Sequence, residues 1–319
     1  MFLRYLLPLT LLAAPAASAP GEAQTTPAAP RGTIAITFDD APRGDGAFFS
    51  GSERTRELID ALERADVDGA MIFVLGRNAE ADTDGLDRLQ AYAAAGHSLA
   101  NHSYSHTWLW QSEPAAYLAD IDRTTGLLEN LPGHTPYFRF PFLDEGRTVE
   151  GRDALRQGLA ERGLRNGYVT VDNYDWYMDA LVQRAVAAGR EVDMDALRQA
   201  YIDILLEGVD FYDALARETL DRSPAHVLLL HENDLAALFI DDLAIALREA
   251  GWQIVPAETA YADPIADMLP DTLFNGQGRV AALAHAARLK PAREMVPPFE
   301  DEAWLEAEFA RRGVFSSAD

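Results

Sequence analysis

The sequence predicts an α/β protein: an incomplete, TIM-like (β/α)7 barrel with a helical insertion after its fifth strand. Three observations lead there. From Thr33 onward, short apolar runs bounded by turn residues alternate with amphipathic stretches of helical period. Seven such runs occur, one fewer than a complete eight-stranded barrel uses. Alternation of this kind calls for parallel strands joined by right-handed crossovers. An open doubly wound sheet satisfies the same alternation and is the competing fold.

The first strand, Thr33–Phe38, precedes a helical stretch over Arg54–Ala65. The second, Ala70–Leu75, is followed by Leu86–Ala95, and the third, Ser98–Asn101, by Ala115–Leu131. In that last stretch Leu118, Ile121 and Leu128 share one face, as packing against a sheet requires. Tyr137–Phe140 is the fourth strand, with Asp153–Arg162 after it, and Tyr168–Val171 is the fifth. The alternation then breaks, and Met178–Gly189 and Met194–Leu220 read as two or three extra helices. It resumes with Val227–Leu230, Leu235–Ala250 and Gln253–Val255. Gly96, Gly163 and Gly251 stand where helices stop, the place for a left-handed cap. The tail after Tyr261 is less regular and closes with a helix over Asp301–Arg312. With no internal repeat and no second core apparent, one domain is expected over residues 32–261. Residues 177–225 are its insertion, and 262–319 form an extension packed on it.

Composition narrows the function. The 319 residues are 48% hydrophobic and include no cysteine, which excludes disulfide scaffolds and low-complexity classes. Acidic residues outnumber basic ones 51 to 27, a net charge of -24 that repels nucleic acid and anionic membrane surfaces. Arg4, the apolar stretch Leu6–Ala14 and the Ala-x-Ala ends at Ala16 and Ala19 read as a secretory signal peptide over residues 1–19. An uncleaved anchor is the competing reading, but Pro8 and Pro15 interrupt a stretch that needs about 20 apolar residues to span a bilayer. Residues 20–31, rich in Ala, Pro and Thr, read as a disordered lead-in. Export to a bacterial periplasm, with no membrane insertion after cleavage, is the expectation.

The chemistry-bearing residues fall at strand ends. Asp39 and Asp40 follow the first strand, His102 and His106 the third, Arg139 ends the fourth, Asp172 and Asp175 follow the fifth, and His231 the sixth. In parallel α/β folds these C-terminal ends share one crevice, where active sites are built. His102 and His106 have the i, i+4 spacing that places two imidazoles on one side of a helical turn. One carboxylate beside them would complete three protein ligands and leave a position open, the pattern of a catalytic zinc. A pair of satisfied polar histidines near a helix start fits the spacing equally. Asp39 and Asp40 cannot point the same way along a continuing strand, so one can serve a metal and the other a water. Alternatively both bond backbone amides at a loop start. His231 is a general acid if Asp175 favours its protonated form, and a structural histidine otherwise. His97, His134, His226 and His285 are assigned to structure or surface. Gly276-Gln277-Gly278 lacks dinucleotide-loop spacing, and no serine sits in a nucleophile elbow.

Five segments, in order, carry a resemblance. They are Thr37-Phe38-Asp39-Asp40, His102-Ser103-Tyr104-Ser105-His106, Arg139-Phe140-Pro141-Phe142, Asp172-Asn173-Tyr174-Asp175-Trp176 and Leu229-Leu230-His231. Together they resemble the motifs of the polysaccharide deacetylases, carbohydrate esterase family 4 or the NodB homology domain, over about Thr33 to Tyr261. That resemblance implies a distorted (β/α) barrel and metal-dependent removal of acetyl groups, usually N-acetyl, from sugars. It implies Asp39 as general base and Asp40, His102 and His106 as ligands of a divalent metal. Zinc is the usual ion, with cobalt, nickel or manganese as substitutes. It further implies that Arg139 supports the catalytic carboxylate and that Asp175 tunes the general acid His231. The backbone N–H of Phe142 would help hold the oxyanion, and Leu229 and Trp176 would line the acetyl pocket. The sequence departs from the family pattern at Ala41, where glycine is common, and at Phe142, where tyrosine is usual. The expected substrate is an N-acetylated glycan such as peptidoglycan or a chitin-like oligomer. An O-acetyl xylan esterase and a non-catalytic glycan-binding protein are the alternatives.

Overall fold

The computed structural model describes residues 30–316, so the signal-peptide segment and most of the lead-in lie outside the described residues. The chain runs β1 (Gly32–Ala41), α1 (Gly51–Arg64), β2 (Met71–Val74), α2 (Gly76–Ala81), α3 (Gly85–Ala94) and β3 (Ser98–Asn101). It continues through α4 (Pro114–Leu128), β4 (His134–Phe138), α5 (Val149–Glu161), β5 (Arg165–Asn166), α6 (Asp175–Ala187) and α7 (Met194–Leu220). Then come β6 (His226–His231), α8 (Asp234–Glu249), β7 (Trp252–Ile254), α9 (Ala257–Ala260), α10 (Gly278–Ala286) and α11 (Glu302–Arg312). The caps follow the sequence. Ser50 and Glu53 close a capping box on α1, and Asn233 caps α8 through its side chain. Gly96, Gly163 and Gly251 all have positive φ, as left-handed helix ends require.

The strands form one parallel sheet in the order β5-β4-β3-β2-β1-β6, with β7 added against the start of β1. Ile34 pairs with both His226 of β6 and Ile254 of β7, so these two strands lie on opposite sides of β1. The expected fifth strand needs correction. The regular strand is Arg165–Asn166 on β4, and Tyr168–Val171 leaves it to meet β6 through a bridge between Val171 and Leu228. Leu229 N–H donates to Val171 O, and Val171 N–H to Val227 O, both at 3.1 Å. One short segment therefore changes partner midway and closes the curled sheet. Gly167 stands at the change, where a Cβ would come within 2.5 Å of the Phe73 ring.

The insertion consists of α6 and the 27-residue α7. Tyr201 and Tyr212, on α7, are fully buried, so these aromatics are core. The C-terminal extension packs on the same helices: Asp193 N–H donates to Val314 O (2.9 Å) and Tyr212 Oη to Glu300 (2.6 Å). Leu305 and Phe309 belong to the same buried cluster as the strands. A second, smaller cluster contradicts the expectation of one core. Leu109, Tyr117, Ile121, Phe138, Phe140, Leu155 and Leu159 form it where α4 and α5 cover β4. Arg31, assigned above to a disordered lead-in, is instead held, with its N–H on Gly251 O and its guanidinium on Asp210 and Asp213.

Candidate active site

Asp39 and His231 are register partners across β1 and β6, which puts the base and the acid of the expected pair on adjacent strand ends. Asp40 follows in the left-handed region, at φ 68°, where the β1–β2 register also shifts. Successive residues of a regular strand would face apart. The left-handed residue removes that constraint, and aspartate is among the few side chains that tolerate it. Both carboxylates consequently reach His102, whose Nε2 lies 3.7 Å from Asp39 Oδ2 and 3.6 Å from Asp40 Oδ1.

The two histidines are not on a helix, in contrast to the spacing argument. They flank a loop in which Ser103 and His106 have positive φ. Asp120 of α4 ties this loop down by accepting from Tyr104 N–H (2.8 Å) and Ser105 N–H (3.1 Å). His106 Nε2 ends 3.2 Å from Asp40 Oδ1. His102 Nδ1 lies 3.0 Å from Arg139 O, an acceptor only, so Nδ1 carries the proton and Nε2 keeps its lone pair. Burial pulls the His106 imidazole down to about 4, against the attraction of Asp40, which leaves it neutral at pH 7. Burial pushes Asp40 up, but the fields of His106, His231 and His102 outweigh it and hold the carboxyl at about 2.

Asp40, His102 and His106 thus present ligand atoms within 4.8 Å of one another. Asp40 Oδ1 is buried and has no hydrogen-bond donor among the described residues. An orphaned carboxylate oxygen facing two imidazole nitrogens is the donor set a divalent metal takes, so the residues present fit that group.

Arg139 is fully buried, and each of its nitrogens has a task. Nη1 donates to Asp39 Oδ1 (2.6 Å) and Thr37 Oγ1 (2.9 Å), Nε to Gly167 O (2.8 Å) and Nη2 to Tyr261 Oη (2.9 Å). On the other flank Asp175, at the start of α6, takes His231 Nδ1 at 2.7 Å and the His231 N–H at 2.9 Å. Asn233 donates to the same carboxylate at 2.9 Å. Burial lowers the His231 pKa, but Asp175, then Asp40 and Asp39, raise it to about 8.

Leu229 lies two residues before His231, on the same face of β6, and is buried. Phe142 and Trp176 are both partly exposed, and Trp176 packs against Tyr174 and Tyr177. Asp172, grouped with the crevice by position, is buried and accepts from the Asn173 N–H (2.9 Å). Burial and then the neighbouring Glu300 push its carboxyl well above the usual range, and Glu300 comes from the C-terminal extension. Sequence reasoning missed Thr37, Tyr261 and Asn233. Asn233 carried a signal, since an Asn two residues before the apolar helix Leu235–Ala250 is an N-cap position. Tyr261 had none, because only folding brings it to Arg139.

Residues 26–165 match the family described as polysaccharide deacetylase. Over that stretch the chain resembles the polysaccharide deacetylases. The match takes in Asp39, Asp40, His102, His106 and Arg139, while Asp175 and His231 follow it. One peptidoglycan-N-acetylglucosamine deacetylase of Bacillus cereus is 33% identical over 144 residues, which is 45% of this chain and 46% of that protein. Another from the same organism is 28% identical over 159 residues, 48% of this chain and 50% of the relative. A chitin deacetylase of Amylomyces rouxii is 24% identical over 72% of this chain and 46% of its own. The chain thus spans about half the length of the curated relatives it matches. Among solved structures, a family 4 carbohydrate esterase from Streptomyces lividans in complex with acetate is 25% identical, with a TM-score of 0.47, over 73% of this chain and 97% of that one.

Proposed function

We propose that the protein is an exported, metal-dependent deacetylase that hydrolyses N-acetyl groups on a glycan such as peptidoglycan or a chitin-like oligomer. One observation carries this reading. The orphaned Asp40 oxygen and the imidazoles of His102 and His106 converge between an arginine-held carboxylate, Asp39, and a carboxylate-held imidazole, His231. When bound by Asp40, His102 and His106, a divalent ion, zinc first and cobalt, nickel or manganese as substitutes, supplies a Lewis acid for the acetyl carbonyl and acidifies a water.

The rest of the chemistry belongs to the chain. Arg139 fixes Asp39 through Oδ1 and leaves Oδ2 to take the proton of the attacking water. The Phe142 N–H is assigned to the developing oxyanion, and Leu229 and Trp176 to the acetyl methyl. With Nδ1 engaged by Asp175, His231 has Nε2 left to protonate the departing nitrogen. A pKa near 8 keeps His231 charged at neutral pH. That favours an amide over an O-acetyl ester, because an amine leaves only once protonated, whereas an alkoxide departs more readily. The test is acetate release from peptidoglycan, N-acetylglucosamine oligomers and acetylated xylan, with and without chelator. Release from the first two that chelator abolishes is expected; release from xylan alone would assign the esterase.

A further inference from the structure

A row of stacked groups leads from the histidine cluster out to the surface. His106 meets the edge of Phe142, with centroids 4.5 Å apart, and Phe142 lies flat on Trp108 at 3.8 Å with only 4° between the planes. The Arg147 guanidinium then sits 5.4 Å from the Trp108 ring and 5.0 Å from the Trp110 ring. Trp110 is 52% exposed and Phe142 39%, among the most exposed large apolar side chains of the described residues. Exposed aromatics gathered beside a crevice mark a contact surface, whereas scattered ones do not.

The row is held in place from beneath. Leu109, between the two tryptophans, is buried in the smaller core cluster and anchors their loop. Asp144, itself buried, joins that loop to the one carrying Phe142 and Arg147, accepting from Trp110 N–H (3.4 Å) and Gly146 N–H (3.3 Å). Phe142 and Leu143 both hold positive φ, a backbone state that non-glycine residues adopt only when their surroundings enforce it. Rigid aromatic faces cost little entropy when a ligand arrives.

We propose that Trp110, with Arg147 beside it, is a subsite for a second hexopyranose of the glycan strand whose neighbouring sugar reaches His106; this rests on the deacetylase reading. A β-linked pyranose presents a flat face of C–H bonds that suits the negative face of an indole. Its hydroxyls and amide oxygens suit the guanidinium, which enters no ion pair among the described residues and keeps planar N–H donors for them. The occupant is a sugar strand, because the net charge of -24 opposes nucleic acid and anionic lipid surfaces. Continuity with the crevice through Phe142 and His106 makes it the same strand that is deacetylated.

Trp110→Ala and Arg147→Ala are expected to lower kcat/KM on an N-acetylglucosamine hexamer about tenfold more than on the monosaccharide, mainly through KM. Trp110→Phe retains most of the length dependence. Thermal unfolding of each variant checks the fold. Direct binding of the hexamer and of peptide-free peptidoglycan strands, followed by indole fluorescence, reads the subsite without turnover. It therefore separates failure of the subsite from failure of the deacetylase reading. Strand binding weakened in both alanine variants supports the subsite even where no acetate is released. Equal losses on monosaccharide and hexamer, or strand binding absent from the parent protein or unaltered in both variants, overturn it.

Discussion

Glu232 and His231 are neighbours in sequence, yet they enter two buried charge clusters with opposite characters. Glu232 is completely buried and its carboxylate is saturated. It accepts from Arg88 Nη2 (2.9 Å), Tyr92 Oη (3.0 Å), Thr55 Oγ1 (3.1 Å) and the Arg43 N–H (2.5 Å). Asp234 is served in the same way by Arg54 Nε and the Phe48 N–H, each at 2.9 Å. These contacts pin residues 42–50, the loop leaving Asp40, onto α1, α3 and α8. In the His231 cluster, by contrast, Asp40 Oδ1 is buried without a donor among the described residues, and the imidazoles of His102 and His106 face it. A saturated cluster has spent its bonding capacity on the fold. A cluster with capacity left over has kept it for something else, and unspent capacity is therefore a better sign of function than burial or charge.

The sharpest way to break this contrast is to mutate one member of each cluster and read metal, turnover and stability separately. Asp40→Asn should remove zinc and activity together, while the metal-free protein keeps its stability within about 1 kcal/mol, because no donor loses its partner. Zinc stoichiometry and chemical denaturation test this; retained zinc would return Asp40 to a structural role. Asp39→Asn should keep the metal yet lower turnover by about 10²–10⁴-fold, the usual contribution of a positioned base. Zinc lost from that variant but kept by Asp40→Asn would exchange the two roles.

Glu232→Gln should show the opposite profile. Arg88 would keep only the part-exposed Asp82 as counter-charge, at a cost of about 3 kcal/mol, while zinc binding per folded molecule persists. A variant as stable as the parent would remove the distinction between the clusters. The smallest effect is expected at Asp175→Asn. His231 must be protonated to act, so activity falls as pH rises through about 8. Without the Asp175 charge that fall should move to lower pH, toward the ordinary histidine value of about 6.5. An unmoved alkaline limb in the pH–rate profile would detach Asp175 from His231.

The sequence by itself determined the alternation of strands and helices, because periodicity and the stops at Gly96, Gly163 and Gly251 are local properties of the chain. It also determined that Asp39, His102, Arg139 and His231 fall at strand ends on one side, since parallel topology makes those ends coincide. Tertiary structure decided what local pattern could not carry. Tyr168–Val171 reads as one strand, but whether it pairs with β4 or with β6 depends on how far the sheet curls before it closes. His102 and His106 show helical spacing, yet a loop held by Asp120 brings them together, and i, i+4 spacing is blind to that difference. Asp172 and Asp175 look equivalent three residues apart. Only folding places Asp175 on His231 and sets Asp172 in the field of Glu300, which the C-terminal extension supplies. The physical reason is common to all three: spacing constrains where a side chain starts, while its partner is chosen by segments far away in the chain, which only the folded sheet brings near.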